Sequence, residues 1–237
     1  MGCMREIEWI RVPEGEIVYT VHHRIMEGDC QTEHGPVLCR VSAFEITKYP
    51  VTNEQYLRFT EESGYTPADG GNFLRQLKDG LTDENRDLPV TFVSPDDAAA
   101  FAEYLHAKLP TERQWQRAAE GPDGYEWPWG NAYDSSRLNA GGKAAEPVDA
   151  HPDGESAFHV ADMCGNTWEW TRGIVNDGHH LFTLLRGGCW YRGEHFWHFT
   201  GGPHPIHTHE KFPLLGGNFN RTATVSFRCV REDETHG

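Results

Sequence analysis

The chain has 237 residues, and its 21 basic and 36 acidic side chains give it a formal net charge of −15. No block of lysine and arginine offsets this acidity, so we expect no nucleic-acid partner. No stretch approaches the roughly 20 apolar residues of a membrane-spanning helix, and the first residues lack the charged and apolar regions of a signal peptide. We therefore predict a cytoplasmic protein with no membrane partner.

The first half of the chain carries the clearer signals of secondary structure. Apolar and polar residues alternate over 5–20 around a turn at 13–15, which predicts a β-hairpin. Strand-like runs follow at 37–48 and at 89–93. Three helices are predicted: the first is capped by Thr52 or Asn53, and the other two begin at the capping residues Ser94 and Thr111.

The second half, from residue 122 onward, is rich in Gly, Pro and Trp. Short runs at 184–188 and 225–230 are typical of strands. We find neither an internal repeat nor a linker. Helices early, loops late and strands near both termini indicate one α+β domain over residues 1–237.

Five motif segments follow one another in a fixed order. They are PVTN (50–53), LPTE (109–112) with Trp115, WPWG (127–130), DMCGNTWEW (162–170), and RGGCW (186–190) with FRC (227–229). This set resembles the formylglycine-generating enzyme, or sulfatase-modifying factor, family. The resemblance implies a variant of the C-type-lectin-like fold with little regular secondary structure. It also implies calcium sites and, in the founding members, a copper oxidase that turns a sulfatase cysteine into formylglycine.

The segment 162–170 holds two carboxylates among tryptophans, and a buried carboxylate needs a counter-ion or strong hydrogen bonds. Gly165 permits a sharp turn that would bring Asp162 and Glu169 to one point. Calcium takes about 6–8 oxygen ligands, carbonyls included. The resemblance implies calcium ligands at Asp162, Gly165, Thr167 and Glu169. The alternative is that Glu169 pairs with an arginine, either Arg172 or Arg228.

The segment 186–190 lies where the resemblance implies the chemistry. The founding members carry two copper-binding cysteines after this motif, and Arg192 and Trp197 stand at those positions here. Neither residue offers the soft thiolate that copper(I) prefers. Cys189 is either a reactive thiol, with its pKa lowered by Arg192 or a histidine, or a packed and inert one. The candidate catalytic residues are Cys189, Arg192, His195 and Trp197.

Histidines are concentrated in the stretch 179–209, which holds half of the chain's 14. His207 and His209 would share one face of an extended segment. Imidazole binds iron, copper and zinc, so we predict a candidate transition-metal site on these two residues, with His204 or His195 as the third ligand. The alternative is that these loop histidines stack on neighbouring aromatic rings.

Two functions from different classes are consistent with these observations. The first is a divergent metal- or thiol-dependent oxidase-like enzyme that acts on a peptide or a small molecule in a cleft near residues 189–209. The second is a non-catalytic ligand-binding module on the lectin-like scaffold. A sulfatase formylglycine-generating oxidase is disfavoured, because the two copper cysteines are replaced.

Overall fold

The computed structural model describes residues 5–24, 31–139, 141–176, 181–192, 201–215 and 220–233. Three α-helices lie in these ranges: α1 (Asn53–Ser63), α2 (Pro95–Tyr104) and α3 (Glu112–Glu120). The strands are β1 (Trp9–Val12), β2 (Gly15–Arg24), β3 (Gln31–Val41), β4 (Phe44–Thr47), β5 (Trp168–Trp170), β6 (Val175–Asn176), β7 (Leu181–Arg186), β8 (Gly188–Cys189), β9 (Gly202–Pro203), β10 (Thr208–Pro213), β11 (Val225–Ser226) and β12 (Val230–Glu232).

All three helices begin where the sequence predicts. The side chains of three cap residues, Thr52, Ser94 and Thr111, each accept a hydrogen bond from the backbone N–H of the third helical residue. The side chain of that third residue in turn accepts a hydrogen bond from the backbone N–H of the cap. These capping boxes satisfy backbone donors that a helix start leaves unpaired. The first helix ends at Gly64, which has a φ of 69°, a left-handed conformation that glycine adopts without steric cost.

The predicted hairpin over 5–20 is wrong. Strand β1 pairs with β4, from Trp9 opposite Thr47 to Val12 opposite Phe44, whereas β2 pairs with β3. The alternating pattern continues across the turn because both strands bury one face in the same core cluster, although they belong to different sheets.

The predicted strand at 89–93 is also wrong. Only an isolated bridge joins Pro89 to Thr52. Phe92 has a φ of 52°, which an extended strand cannot accommodate.

Two larger sheets organise the rest. One has the order β1-β4-β12, and the other has the order β11-β5-β7-β10-β2-β3, with β6 attached to β7. Helix α3 contacts β2, β3 and β7, so its first turn lies above the middle of the larger sheet. No helix in the described part of the chain is long and apolar enough to cross a membrane.

Candidate functional site

Glu169, in the DMCGNTWEW motif, is completely enclosed on β5. The carboxylate Oε1 accepts a hydrogen bond from Arg228 Nη2 at 2.7 Å, and Oε2 accepts bonds from Arg228 Nε at 2.7 Å and from Trp115 Nε1 at 2.8 Å. Arg228 also donates to four backbone carbonyls, those of Thr47, Lys48, Ala161 and Asp162. The carboxylate therefore already has a cationic partner, as the ion-pair alternative expects, and that partner is Arg228.

The turn before Glu169 brings Asp162 close to Asn166. Asp162, Gly165 and Asn166 all have positive φ, and Asn166 Nδ2 donates to Asp162 Oδ2 at 2.8 Å. Burial raises the pKa of Asp162 to about 7, against the lowering effects of the Asn166 hydrogen bond and the Arg228 charge. Because Arg228 occupies both oxygens of Glu169, this arrangement offers calcium only part of the predicted ligand set. Calcium at this turn remains a prediction.

Asn166 connects this turn to a neighbouring loop. Its amide donates to the Glu146 carbonyl at 3.0 Å, and its Oδ1 accepts from the Glu146 backbone N–H at 2.9 Å. Asn139 Nδ2 donates to the Ala144 carbonyl at 2.9 Å. The two asparagines therefore fix the loop 139–146 against the motif, except for residue 140, which lies outside the described residues.

Cys189 is buried on β8, which pairs with β9 through Cys189 and Gly202. Its thiol donates to the Tyr191 carbonyl at 3.7 Å. Burial raises the pKa of Cys189, and contacts with the Tyr191 and Gly202 backbone and the Trp168 side chain only partly oppose that effect. This direction is opposite to the alternative in which Arg192 or a histidine lowers the pKa, because desolvation of the thiolate dominates. The geometry favours the packed thiol.

Two motif segments, 162–170 and 186–190, meet the segment 202–204 beside Cys189. Trp190 N donates to the Asn166 carbonyl at 2.8 Å, and the His204 ring stacks on Trp168 with 5.3 Å between ring centroids. We call this surface the 189–204 face; its described members are Cys189, Trp190, Tyr191, Arg192, Gly202 and His204. The candidates His195 and Trp197 lie outside the described residues.

The three described histidines that were predicted as metal ligands have different surroundings. His204 stacks on Trp168, His207 is half-buried, and His209 on β10 approaches Glu112, with 2.7 Å between Nδ1 and Oε1. Within the described ranges, no group of three or more His, Cys, Asp or Glu side chains is placed to hold a metal ion. His195 and His198 fall outside those ranges, so the transition-metal site remains a prediction.

A second polar centre surrounds Glu112, at the first position of α3, and the sequence reading missed it. Tyr19 donates its hydroxyl to Glu112 Oε2, His209 contacts Oε1, and Arg186 Nε lies 3.7 Å from Oε1. Burial alone would raise the pKa of Glu112, but the Arg186 charge and the hydrogen bonds from His209 and Tyr19 lower it to about 2. Burial lowers the pKa of His209. At neutral pH the pair is therefore a carboxylate beside a neutral imidazole.

Arg186 extends this centre through α3. It donates to the Ile206 carbonyl at 3.0 Å and to Gln116 Oε1 at 3.1 Å, and Gln116 Nε2 donates to Glu120 Oε2 at 2.8 Å. Burial raises the pKa of Glu120 to about 7. We call Tyr19, Glu112, Gln116, Glu120, Arg186 and His209 the Glu112 cluster.

A pocket of about 820 Å³ opens beside this cluster, between the β2–β3 hairpin, the start of α3 and the ends of β5 and β12. Tyr19 and Glu112 line its inner part, and Arg113 and Arg172 lie among its other lining residues. Cys189 and Arg192 are not among them. The sequence motif nearest this pocket is LPTE (109–112), which predicts a helix start and no pocket.

The family described as "Sulfatase-modifying factor enzyme 1-like domain" matches residues 4–233. The chain belongs to this family. It is 32% identical over 224 residues to the uncharacterized protein YfmG of Bacillus subtilis, covering 79% of the chain and 46% of YfmG. It is 33% identical over 199 residues to the hercynine oxygenase of Mycolicibacterium thermoresistibile, covering 63% of the chain and 44% of that protein. The chain thus spans less than half the length of these two relatives.

Solved structures agree on the fold. CarF superposes with a TM-score of 0.67 at 18% identity, covering 95% of this chain and 98% of CarF. PvdO from Pseudomonas aeruginosa superposes with a TM-score of 0.66 at 18% identity, covering 94% of each chain. The predicted α+β fold, the family's variant of the C-type-lectin-like fold, is therefore confirmed.

Proposed function

We propose that this protein is an oxidase-like member of the family that acts on a peptide or a small molecule at the 189–204 face. The observation that carries the proposal is the meeting there of two motif segments, 162–170 and 186–190, with the segment 202–204. Cys189 pairs with Gly202, Trp190 is fixed to Asn166, and His204 stacks on Trp168. A surface assembled from such distant parts of the sequence holds its side chains in fixed positions, which a binding or reacting site requires.

The relatives support an oxidative role. Hercynine oxygenases from three mycobacterial species are 30–33% identical to this chain over 190–199 residues. Each of those proteins is more than twice as long as the matched part. The proposal is therefore limited to the part of those proteins that this chain matches.

Iron, copper or zinc is the metal class that imidazole ligands would hold. His209 fits such a role in one respect: its Nδ1 faces the Glu112 carboxylate at 2.7 Å. A carboxylate in that position fixes the tautomer of a metal-binding histidine and keeps the lone pair on Nε2. Of these metals, bound iron or copper would supply the oxidation chemistry, since zinc has no redox change, while the residues of this chain would orient the substrate.

Metal analysis combined with oxygen uptake tests the proposal. Protein purified without chelator should contain near-stoichiometric iron or copper, and it should consume oxygen with hercynine or with a cysteine-containing peptide. The His207→Ala/His209→Ala double variant should lose the metal and the uptake, and the matched His159→Ala variant, at an exposed histidine, should keep both. Oxygen uptake that persists without metal would refute the metal-dependent form, and no uptake by metal-loaded protein with either compound would refute the oxidase.

A non-catalytic ligand-binding module is the second candidate. Two observations favour it: Cys189 is a buried thiol with a raised pKa, and the chain is 28% identical to a mouse protein named inactive C-alpha-formylglycine-generating enzyme 2. Ligand binding without metal and without oxygen uptake in the same assays would support this function. A formylglycine-generating oxidase of the copper type fits less well, because Arg192 stands in place of one thiolate.

A further inference from the structure

We infer that Arg192 anchors a carboxylate of the ligand, so that the substrate class is a small molecule or peptide that presents a carboxylate. The inference rests on the proposed function for the location of the ligand, at the 189–204 face. It depends on the surroundings of the Arg192 side chain.

Glycines make room for the arm of Arg192. A methyl group added at Gly141 would lie 2.7 Å from Arg192 Nε and 2.8 Å from Cδ, and one added at Gly202 would lie 3.3 Å from Nε. Any larger residue at Gly141 would have to displace the arm. The arm therefore lies between two separate segments of the chain, which restricts its rotamers before any ligand arrives.

The guanidinium of Arg192 has no partner in the described part of the chain. The other arginines whose side chains are described each have one. Most meet a carboxylate, such as Arg221 with Asp97 at 2.7 Å, and those without a carboxylate have other contacts. Arg113, Arg117 and Arg231 lie over aromatic rings, and Arg75 bonds to Asn72. In a chain with a net charge of −15, an exposed and positioned arginine without a carboxylate is available for an anion from outside.

Two aromatic residues directly precede Arg192 in the chain. The rings of Trp190 and Tyr191 lie 5.6 Å apart at 84°, and Tyr191 is 37% exposed. The indole N–H of Trp190 is buried without an acceptor among the described residues. A guanidinium binds a carboxylate through two parallel hydrogen bonds. Arg192, next in the chain to two aromatic residues, therefore suits a ligand with a carboxylate next to an apolar or aromatic body.

Isothermal titration with matched acids and amides tests the inference. The probes are hercynine and its carboxamide, for a small molecule, and N-acetylcysteine and its amide, for a peptide. At least one acid should bind the parent protein ten times more tightly than its amide. Arg192→Ala should bring that acid to the affinity of the amide. Arg192→Lys should retain part of the preference, because an ammonium keeps the charge and loses the planar fork.

Two further variants complete the test. Gly141→Ala should weaken the acid preference by displacing the arm without removing the charge. Arg40→Ala, at an exposed arginine paired with Glu14, should leave the preference intact. Any one of three results would overturn the inference. These are equal binding of acid and amide by the parent, an acid preference that survives in Arg192→Ala, and a parent that binds none of the four probes. An acid preference without oxygen uptake would leave it standing and refute only the oxidase.

Discussion

Glu169 and Glu112 are both buried carboxylates beside a buried arginine, yet they are held in different ways. Arg228 lies 2.7 Å from both oxygens of Glu169, and Trp115 completes the set. Arg186 approaches Glu112 only to 3.7 Å, and the hydrogen bonds come from Tyr19 and His209. Glu112 also borders the 820 Å³ pocket. A closed pair of the first kind organises the fold, whereas a shared carboxylate at a pocket can respond to pH and to a ligand.

Breaking the closed pair should have the largest effect. Arg228→Ala leaves the Glu169 charge buried without its cation and orphans four carbonyls, so we expect a loss of about 3–5 kcal/mol in the free energy of unfolding. Urea denaturation monitored by tryptophan fluorescence measures it. Arg172→Ala, which breaks an exposed pair with Glu232 at 2.7 Å, is the control and should cost less than about 1 kcal/mol. Similar losses for the two variants would contradict the role given to Glu169.

Removing the Glu112 charge at the pocket should lower the free energy of unfolding by less, and it should change how that free energy depends on pH in acid. Glu112→Gln is expected to lower the free energy of unfolding by about 1–3 kcal/mol at pH 7. The pKa of Glu112 is lowered to about 2 in the folded protein. Its contribution is therefore complete above the ordinary carboxyl pKa of about 4.5 and is lost as pH falls toward 2.

The same urea measurement at pH 7, 5 and 3 should show the gap between parent and Glu112→Gln closing in acid. A gap that stays constant over this range would show that the carboxylate is not stabilised by its neighbours. Glu54→Gln, at a carboxylate paired with Arg86 away from the pocket, serves as the matched carboxylate control.

Tyr19→Phe should have a smaller effect confined to the pocket side. It removes one donor to Glu112 and leaves Arg186 and His209 in place, so we expect a loss of about 1 kcal/mol. The double variant Tyr19→Phe/Glu112→Gln should lose less unfolding free energy than the sum of the two single variants, because both changes remove the same hydrogen bond. Full additivity would show that the two side chains do not interact.

Asp162→Asn should change the stability least, and it should raise the stability where the other variants lower it. The pKa of Asp162 is raised to about 7, so the folded state binds the proton more tightly, and stability falls as pH rises from about 3.8 to 7. The variant removes this penalty. Since Asp162 is partly exposed to solvent, we expect a gain of only about 0.5–1 kcal/mol at pH 8 and none at pH 3.5, measured by thermal unfolding in EDTA.

Calcium reverses that expectation if it binds at this turn. An ion that binds only the folded protein raises the melting temperature, and Asp162→Asn would then lose the increase. Asp162 is a better test position than Glu169, because Glu169→Ala would also strand Arg228. A melting temperature of the parent that does not depend on calcium would refute the calcium prediction.

Local signals in the sequence were sufficient for the helix starts and for the family. Each capping box lies within four consecutive residues, so Ser94 and Thr111, and Thr52 as one of two candidates, could be recognised without knowing the fold. The turn at Gly165 is local in the same way. The sequence also identified Arg228 as one of two candidate partners of Glu169, because a buried carboxylate needs a cation.

The Glu112 cluster could not be predicted, because its contacts join distant parts of the chain. Tyr19 lies 93 residues before Glu112, and His209 lies 97 residues after it. The pairing of β1 with β4 was missed for a related reason. An alternating pattern identifies which face of a strand is buried and does not identify the neighbouring strand.

The position of Arg228 in the chain also affects the order of folding. Its carboxylate partner lies 59 residues earlier, and β12, which follows it, pairs with β4 near the other end of the described chain. During synthesis, Glu169 leaves the ribosome well before the cation that neutralises it in the core. The motif turn therefore cannot reach its final packing until residue 228 is available, so we expect the last step of folding to occur after translation of this segment.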